Sequence, residues 1–321
     1  MKTKLVILTV LTVILAIAGI TVFPNFIQPF SPENLSESII LHEIRIPKTI
    51  TAILCGSALS VSGFILQQLF KNQLAGPYIL GVSSGASLSV AITILGARFI
   101  PVLSSDISIP IAGFIGAFGI LMIVLMVSSR FGYGPIILLL GVIIGQLSGA
   151  LQGLLSYMAN PGDLKHFTLW SMGSFSQVLD QELLLLGAGT LIGLIWAFTL
   201  MPNLNIMILG DDVATTLGVN TSKTSFQLLA CTGLLTGLST AYCGPIAFIG
   251  MAIPNLVKML FKTSNYKTLL IANVLLGSIM ALVSDMVSSL NLSGMNIPVN
   301  VTTALIGGPF IIYILLKKNP A

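Results

Sequence analysis

The chain has 321 residues, of which 55% are hydrophobic and only 7% are charged, and its formal net charge is +4 at pH 7. A mean hydropathy of +1.01 excludes a soluble globular domain, in which about a quarter of the residues are charged. The charged residues lie between long uncharged segments, and roughly twenty apolar residues cross a bilayer as one helix. The chain is therefore predicted to be an all-α, polytopic membrane protein.

The uncharged segments follow one another along the whole chain. Two of them are too long for one crossing, and each contains an interruption. Gly244-Pro245 divides Thr224–Val257 into helices at about 226–243 and 246–261, and polar residues before Pro298 move the membrane part of Met286–Leu316 to about 299–316. We predict about ten transmembrane helices in a single membrane domain, residues 1–321, built on Leu5–Phe23, Thr49–Phe70, Ile79–Ala97, Ile107–Ser129, Phe131–Gly162, Leu183–Gly210, Thr224–Val257, Thr268–Ser284 and Met286–Leu316.

The first segment has a second interpretation. Lys2 and Lys4 followed by Leu5–Ile17 resemble a signal peptide, with small residues Ala16 and Ala18 near a cleavage point. An uncleaved first helix is favoured, because the apolar sequence continues beyond that point and the number of crossings stays even.

Charge also predicts the orientation. With an even number of crossings both ends lie on one side, and threading the loops from there gives that side ten of the 14 Lys and Arg residues. Because positive residues collect in the cytoplasm, both termini are predicted to be cytoplasmic. The cytoplasmic set is Lys2, Lys4, Lys71, Arg130, Lys223, Lys258, Lys262, Lys267, Lys317 and Lys318, and the outer set is Arg45, Lys48, Arg98 and Lys165.

Residue patterns that carry chemistry are missing from the sequence. It contains no G-x-x-x-x-G-K-[ST] phosphate loop, G-x-S-x-G or H-E-x-x-H motif, so we expect no enzyme activity, no cofactor, no metal site and no nucleic-acid partner. Cys55, Cys231 and Cys243 lie in or beside the predicted spans and are expected to be buried, inert thiols. His42 and His166 are expected to be structural, with a haem-handling role left open.

Glycines recur every four residues on the fifth predicted span, at Gly141, Gly145, Gly149 and Gly153. Small residues at this spacing let membrane helices approach closely. Simple helix packing explains the stripe, but Gln146 and Gln152 on the same helix also favour a wide translocation path or a subunit contact. Asp285, near the outer end of the ninth span, has either a functional role or a structural one, as a cap or as the partner of an external base such as Arg45.

Several segments together resemble the permeases of iron-siderophore and cobalamin ABC importers, the FecCD type. The first stretch carries R-x-P-R, N-P-L-A-x-P and L-G-x-S-x-G-A elements, with Lys48 and Gln73 as departures. A later stretch is similar to the family's G-x-I-x-F-I-G-L-x-x-P-H-x-x-R element, with Asn255 and Lys258 in place of His and Arg, and Asn300 replaces a Gly of the last helix. The matching segments are Arg45–Ala52, Gly56–Gly63, Gln67–Pro77, Leu80–Ala86, Leu169–Ser174, Leu204–Val219, Gly244–Lys258 and Ile297–Phe310.

The resemblance implies a type II ABC importer permease in a bacterial cell membrane, surrounded by lipid. It implies a second permease subunit, identical or related, two separate ATP-binding cassette ATPase subunits and an extracytoplasmic substrate-binding protein. The substrate it implies is a ferric siderophore, with haem or cobalamin as the alternative. The alternative from a different functional class is an ion-driven secondary carrier. Such a carrier would need ion-coupling groups near the membrane midplane, and Asp285 alone provides too few.

The resemblance also implies roles for particular residues. Arg45 and Lys48 would dock the binding protein, although on sequence alone they read as interfacial anchors. The segment Asn203–Ser222 predicts a short helix between two turns, with acids at its start, and would otherwise read as a solvated loop. The resemblance makes it the ATPase coupling loop, with Leu209, Gly210, Asp211, Asp212, Ala214, Leu217 and Gly218 as its contact residues.

Overall fold

The computed structural model describes residues 2–22, 35–96, 109–131, 135–178, 180–290 and 297–318. Regular structure in these ranges is helical throughout. A π-helical turn, Ile40–Arg45, precedes the third α-helix. The α-helices are α1 Lys2–Thr21, α2 Leu35–Ile39, α3 Ile46–Leu69, α4 Val82–Leu95, α5 Ile109–Phe131, α6 Pro135–Met158, α7 Pro161–Ser171, α8 Asp180–Met207, α9 Asp211–Thr216, α10 Thr221–Cys243, α11 Ile249–Phe261, α12 Tyr266–Ser288 and α13 Val299–Lys318.

Ten of these described helices correspond to the ten predicted crossings. Seven are long and apolar enough to span a membrane, and α4, α11 and α13 are shorter apolar helices. The predicted interruptions are confirmed: α10 ends at Cys243, before Gly244-Pro245, and α13 begins after Pro298. Local sequence sets other boundaries, since the carboxamide oxygens of Asn220 and Asn265 accept backbone N–H bonds at the starts of α10 and α12.

Helix α3 lies at the centre of the fold. It packs against α8, α10, α11 and α12, and most of its residues after Lys48 are buried. Two glycines allow the closest of these contacts. A Cβ atom at Gly56 would collide with the carbonyl of Gly277 on α12, and one at Gly63 would collide with the carbonyl of Gly250 on α11. The backbones therefore approach closely, as small residues permit in membrane proteins.

Polar side chains fasten α3 to the same neighbours. Ser60 Oγ donates to Asn273 Oδ1 on α12 over 3.0 Å, and the hydroxyls of Ser62 and Thr236 lie 2.7 Å apart. The predicted burial of the cysteines is confirmed. The structure adds that Cys55 and Cys243, 188 residues apart, bring their Sγ atoms to 3.0 Å, which the sequence did not indicate.

The helix ends form two faces. On one, called the N-terminal face, Lys4 Nζ donates to the carbonyl of Leu260 at the end of α11 (2.8 Å), and Leu69 packs beside α9. On the opposite face, an Arg45 guanidinium nitrogen donates to the carbonyl of Ile20 (3.0 Å). These contacts place Lys4 and Arg45 on opposite faces of the fold, and the loop assignment made from the charges also puts them on opposite sides of the membrane.

The glycine contacts of α3 give a stability prediction. Gly63→Ala should lower the melting temperature of the permease in detergent, because overpacking costs about 1–3 kcal/mol. The added Cβ atom would strike the backbone carbonyl of Gly250, which cannot rotate aside as a side chain could. Gly119→Ala on α5 is the matched control: no atom of the described chain lies within 4 Å of its added Cβ, so helix propensity should make it neutral or stabilising. Equal melting temperatures for the two variants would contradict the central position of α3.

Candidate functional site

A short helix stands on the N-terminal face between α8 and α10. It is α9, the helix predicted in the loop Asn203–Ser222, and that prediction is confirmed. The glycines at its ends have φ angles of 111° (Gly210) and 84° (Gly218), in the range that favours glycine. A Cβ atom at either would meet no atom of the described chain within 4 Å, so the backbone turn, and not space, requires glycine there.

The two sides of α9 differ in character. Ala214 is fully buried and packs with Met207 and Val219, against Leu69 at the end of α3. Three apolar residues spaced four apart along this segment are exposed and are called the apolar row: Leu209 (64%) before the helix, Val213 (44%) within it and Leu217 (59%) just after it. Asp211 and Asp212 are exposed as well. The segment is thus seated on the fold through Ala214 and presents an apolar row beside two carboxylates, as protein-binding surfaces do. Val213 was not among the predicted residues.

The two bases on the opposite face contact different helices. Arg45 ends the π-helical turn, and its side chain is largely buried against the end of α1. Lys48, in the first turn of α3, extends towards α12, where its Nζ lies 2.9 Å from Asp285 Oδ1 and donates to Ser289 Oγ over 2.7 Å. Asp285 is thus paired with an external base, as one interpretation of the sequence predicts, but that base is Lys48 and not Arg45.

The Lys48–Asp285 ion pair lies in a cavity of about 280 Å³ on the opposite face. Its side chains keep 20% (Lys48) and 10% (Asp285) of their exposure. Ser174, Ser288 and Ser289 give the walls a polar character. Because Asp285 is nearly buried, Lys48 is its necessary counter-ion, and the pair joins the start of α3 to the end of α12.

The glycines of α6 do not act as one stripe. A Cβ atom at Gly141 would collide with the carbonyl of Ile79, and one at Gly145 would lie 3.4 Å from Ser84 Oγ. At Gly149 and Gly153 it would meet no atom of the described chain within 4 Å. Gly141 thus faces the connection before α4, Gly145 faces the first turn of α4, and the last two glycines face outwards.

A cavity of about 390 Å³ brings together three of the predicted path residues. Gly141, Gly145 and Gln146 line it with Tyr78 and Ser84. Gly149, Gln152 and Gly153 lie outside its lining, further along α6, where Gly149 and Gly153 are exposed and Gln152 is half-buried. Exposed Gln146 is a polar group that lipid disfavours, so this face of α6 suits water or another protein surface.

Two carboxamides that the sequence did not single out for a site bond at this end of the fold: Asn255 fastens the connection between α3 and α4, and Gln67 joins α3 to α11. Asn255 Nδ2 donates to the Gln73 carbonyl (2.9 Å) and to Met251 O (2.8 Å). Gln67 Nε2 also donates to Met251 O (3.0 Å). Position 255, where the resemblance leads one to expect His, therefore holds the connection in place through an amide, which needs no imidazole.

Comparison with known proteins agrees with this architecture. The hemin transport system permease protein HmuU of Yersinia pestis is 36% identical over 86% of this chain and 83% of its own. The vitamin B12 import system permease protein BtuC of Photorhabdus laumondii is 34% identical over 98% and 92%. An iron chelatin transport system permease protein of Helicobacter pylori is 32% identical over 89% and 86%.

A solved structure described as an inward-facing metal-chelate type ABC transporter superposes with a TM-score of 0.87, covering 99% of this chain and 100% of its own at 28% identity. Residues 4–317 match the FecCD transport family. Sequence, fold and relatives agree along nearly the whole chain, which therefore belongs to the FecCD transport family of ABC importer permeases.

Proposed function

We propose that this permease imports a ferric siderophore, driven by ATP that two separate ATPase subunits hydrolyse. The observation that carries the ATP-driven part of the proposal is α9, which presents an apolar row and two carboxylates to water on the N-terminal face, in a chain whose sequence holds no phosphate loop. A relative named for iron chelatin and a solved structure named for a metal chelate support iron complexes as cargo. Haem is the second candidate, because a relative at 36% identity is named for hemin.

The same proposal assigns the open face of α6 to the subunit contact and the path. Gly149 and Gly153 expose backbone there, and Gln146 lines the adjoining cavity. A second copy, or a related permease, would cover this face, and the cargo would pass between the two. Both termini and α9 would then lie in the cytoplasm of a bacterium, with Arg45 and Lys48 outside.

The cargo is tested by uptake. In a strain that lacks its own importers, the permease expressed with its ATPase and binding protein should accumulate ⁵⁵Fe from a ferric siderophore in an ATP-dependent way. Labelled haem and cobalamin, given under the same conditions, should enter no faster than in the strain without permease. Haem uptake without siderophore uptake would show that haem is the cargo. Uptake driven by an ion gradient in the absence of the ATPase would contradict transport driven by ATP.

The role of α9 is tested by a charged substitution on its exposed side that leaves its buried contact with the fold unchanged. Leu217→Glu leaves buried Ala214 in place but sets a third carboxylate in the apolar row. Loss of an interface hot spot costs 2 kcal/mol or more, so binding of the ATPase should weaken at least about thirtyfold and uptake should stop. The readouts are ATPase co-purification and membrane content of the permease. Leu290→Glu, which alters an exposed leucine on the opposite face, should leave ATPase binding unchanged. Wild-type uptake in the Leu217 variant would contradict a coupling role.

Docking at the opposite face is separable from the structural role of Lys48. Lys48→Met should destabilise the permease by about 3–5 kcal/mol, since it leaves Asp285 nearly buried and unpaired, and adding Asp285→Asn should restore the melting temperature. If Lys48 also receives a carboxylate of the binding protein, the double variant should still bind that protein more weakly and with less dependence on salt. Arg45→Glu, at a largely buried position, should weaken the complex further, and its melting temperature separates lost docking from a lost fold. Unchanged binding of the binding protein by the stable double variant would show that Lys48 has a structural role only.

A further inference from the structure

A cavity of about 500 Å³ opens on the N-terminal face, where five elements meet. The end of α3 and the connection that follows it form one wall, and the end of α11 and the start of α12 form the other. Ile208, in the turn before α9, completes the lining. Its polar lining comprises Gln67, Gln68, Lys71, Asn72, Gln73, Lys258 and Tyr266.

The charges in this lining have one sign. Lys71 comes from the α3–α4 connection and Lys258 from the last turn of α11, and the described lining residues include no acid. Lys258 has a contact of its own within the chain, so Lys71 has the leading role here. Lys71 is exposed. Its backbone has a left-handed φ of 48°, which residues other than glycine adopt at an energetic cost.

Neutral donors add to the two ammonium groups. Asn72 Oδ1 accepts the Leu74 backbone N–H over 2.9 Å, and within the described residues its Nδ2 has no acceptor. Gln73 is held in place through its backbone carbonyl by Asn255, so its side chain is not needed for that bond. Tyr266 donates its hydroxyl to Gln68 Oε1 over 2.8 Å, which joins the two walls. The site therefore combines two cations with carboxamide N–H groups on a fixed frame.

We propose that this cavity binds a phosphate-bearing anion, either the headgroup of an acidic lipid or free phosphate. Basic pockets between membrane helices on the cytoplasmic side are suited to such headgroups, and exposed Leu74 and Ile208 at the lining suit the glycerol and acyl part of a lipid. The cytoplasmic location rests on the orientation in the proposed function. A bound anion would tie the end of α3 and the connection after it to the end of α11, and the apolar part of a lipid would reach the turn that leads into α9.

A competing explanation is that both lysines only complement helix dipoles. Lys71 follows the end of α3 and Lys258 lies in the last turn of α11, where cations are favoured without any ligand. The two explanations differ in what happens when an anion is added. A dipole partner stabilises the protein to the same extent with and without the anion, whereas a binding residue changes the affinity for it.

The experiment uses the full-length permease in non-ionic detergent, titrated with dioleoylphosphatidylglycerol and followed by native mass spectrometry and melting temperature. Lys71→Gln should weaken lipid binding roughly fivefold, as expected for one lysine near an anionic headgroup, and Lys258→Gln should weaken it by no more than that. Lys71→Arg should keep it. Lys223→Gln is the matched control, since Lys223 is an exposed lysine at the start of α10 outside the lining. Phosphatidylcholine, whose headgroup carries no net charge, should bind weakly to all variants.

Competition with inorganic phosphate separates the two sources. Displacement of the lipid by millimolar phosphate would support a free anion as ligand, and resistance to displacement would support the headgroup. Unchanged lipid affinity in both the Lys71 and Lys258 glutamine variants would overturn the proposal. A lower melting temperature with unchanged affinity would leave only the dipole explanation. Binding is measured without ATPase or uptake, so failure of the proposed import function would not affect the result.

Discussion

The fold depends on close backbone contact between membrane helices. In lipid, apolar side chains gain little by moving from the bilayer to a neighbouring helix, so helices associate through packing and interhelical hydrogen bonds. Here the Gly56–Gly277 and Gly63–Gly250 contacts bring α12 and α11 against α3, and hydroxyl and amide groups fasten the same surfaces. Since this centre is packed and nearly uncharged, charged groups and cavities of functional interest lie at the two faces.

The crossings could be predicted from sequence because bilayer physics places charges at helix ends, and the breaks at Gly244-Pro245 and Pro298 follow from local backbone chemistry. The helix α9 could be predicted for the same reason, from two glycines and two acids. Contacts between distant segments could not be predicted. Nothing in the local sequence relates Cys55 to Cys243, or Lys48 to Asp285, since those pairs depend on which helices pack together.

The α6 glycines show how periodicity misleads when the surroundings are unknown. A spacing of four residues advances about 400° around a helix of 3.6 residues per turn, so each glycine is rotated about 40° from the last. Gly141 therefore packs against the Ile79 carbonyl while Gly149 and Gly153 lie in the open. Helix packing and an open surface are not alternatives for the whole stripe, because each describes a different part of it.

Helix α3 is the physical link between the two faces. Its first turn carries Lys48, paired with Asp285, and its last residue, Leu69, packs against the seat of α9. Its 24 residues extend about 36 Å at 1.5 Å per residue. A helix so closely packed has little freedom to bend independently of its neighbours. Competition for Lys48 between Asp285 and an external carboxylate would therefore act on the start of the same rigid element whose end supports α9. A displacement of α3 at one face would then reach the other face without any separate relay of side chains.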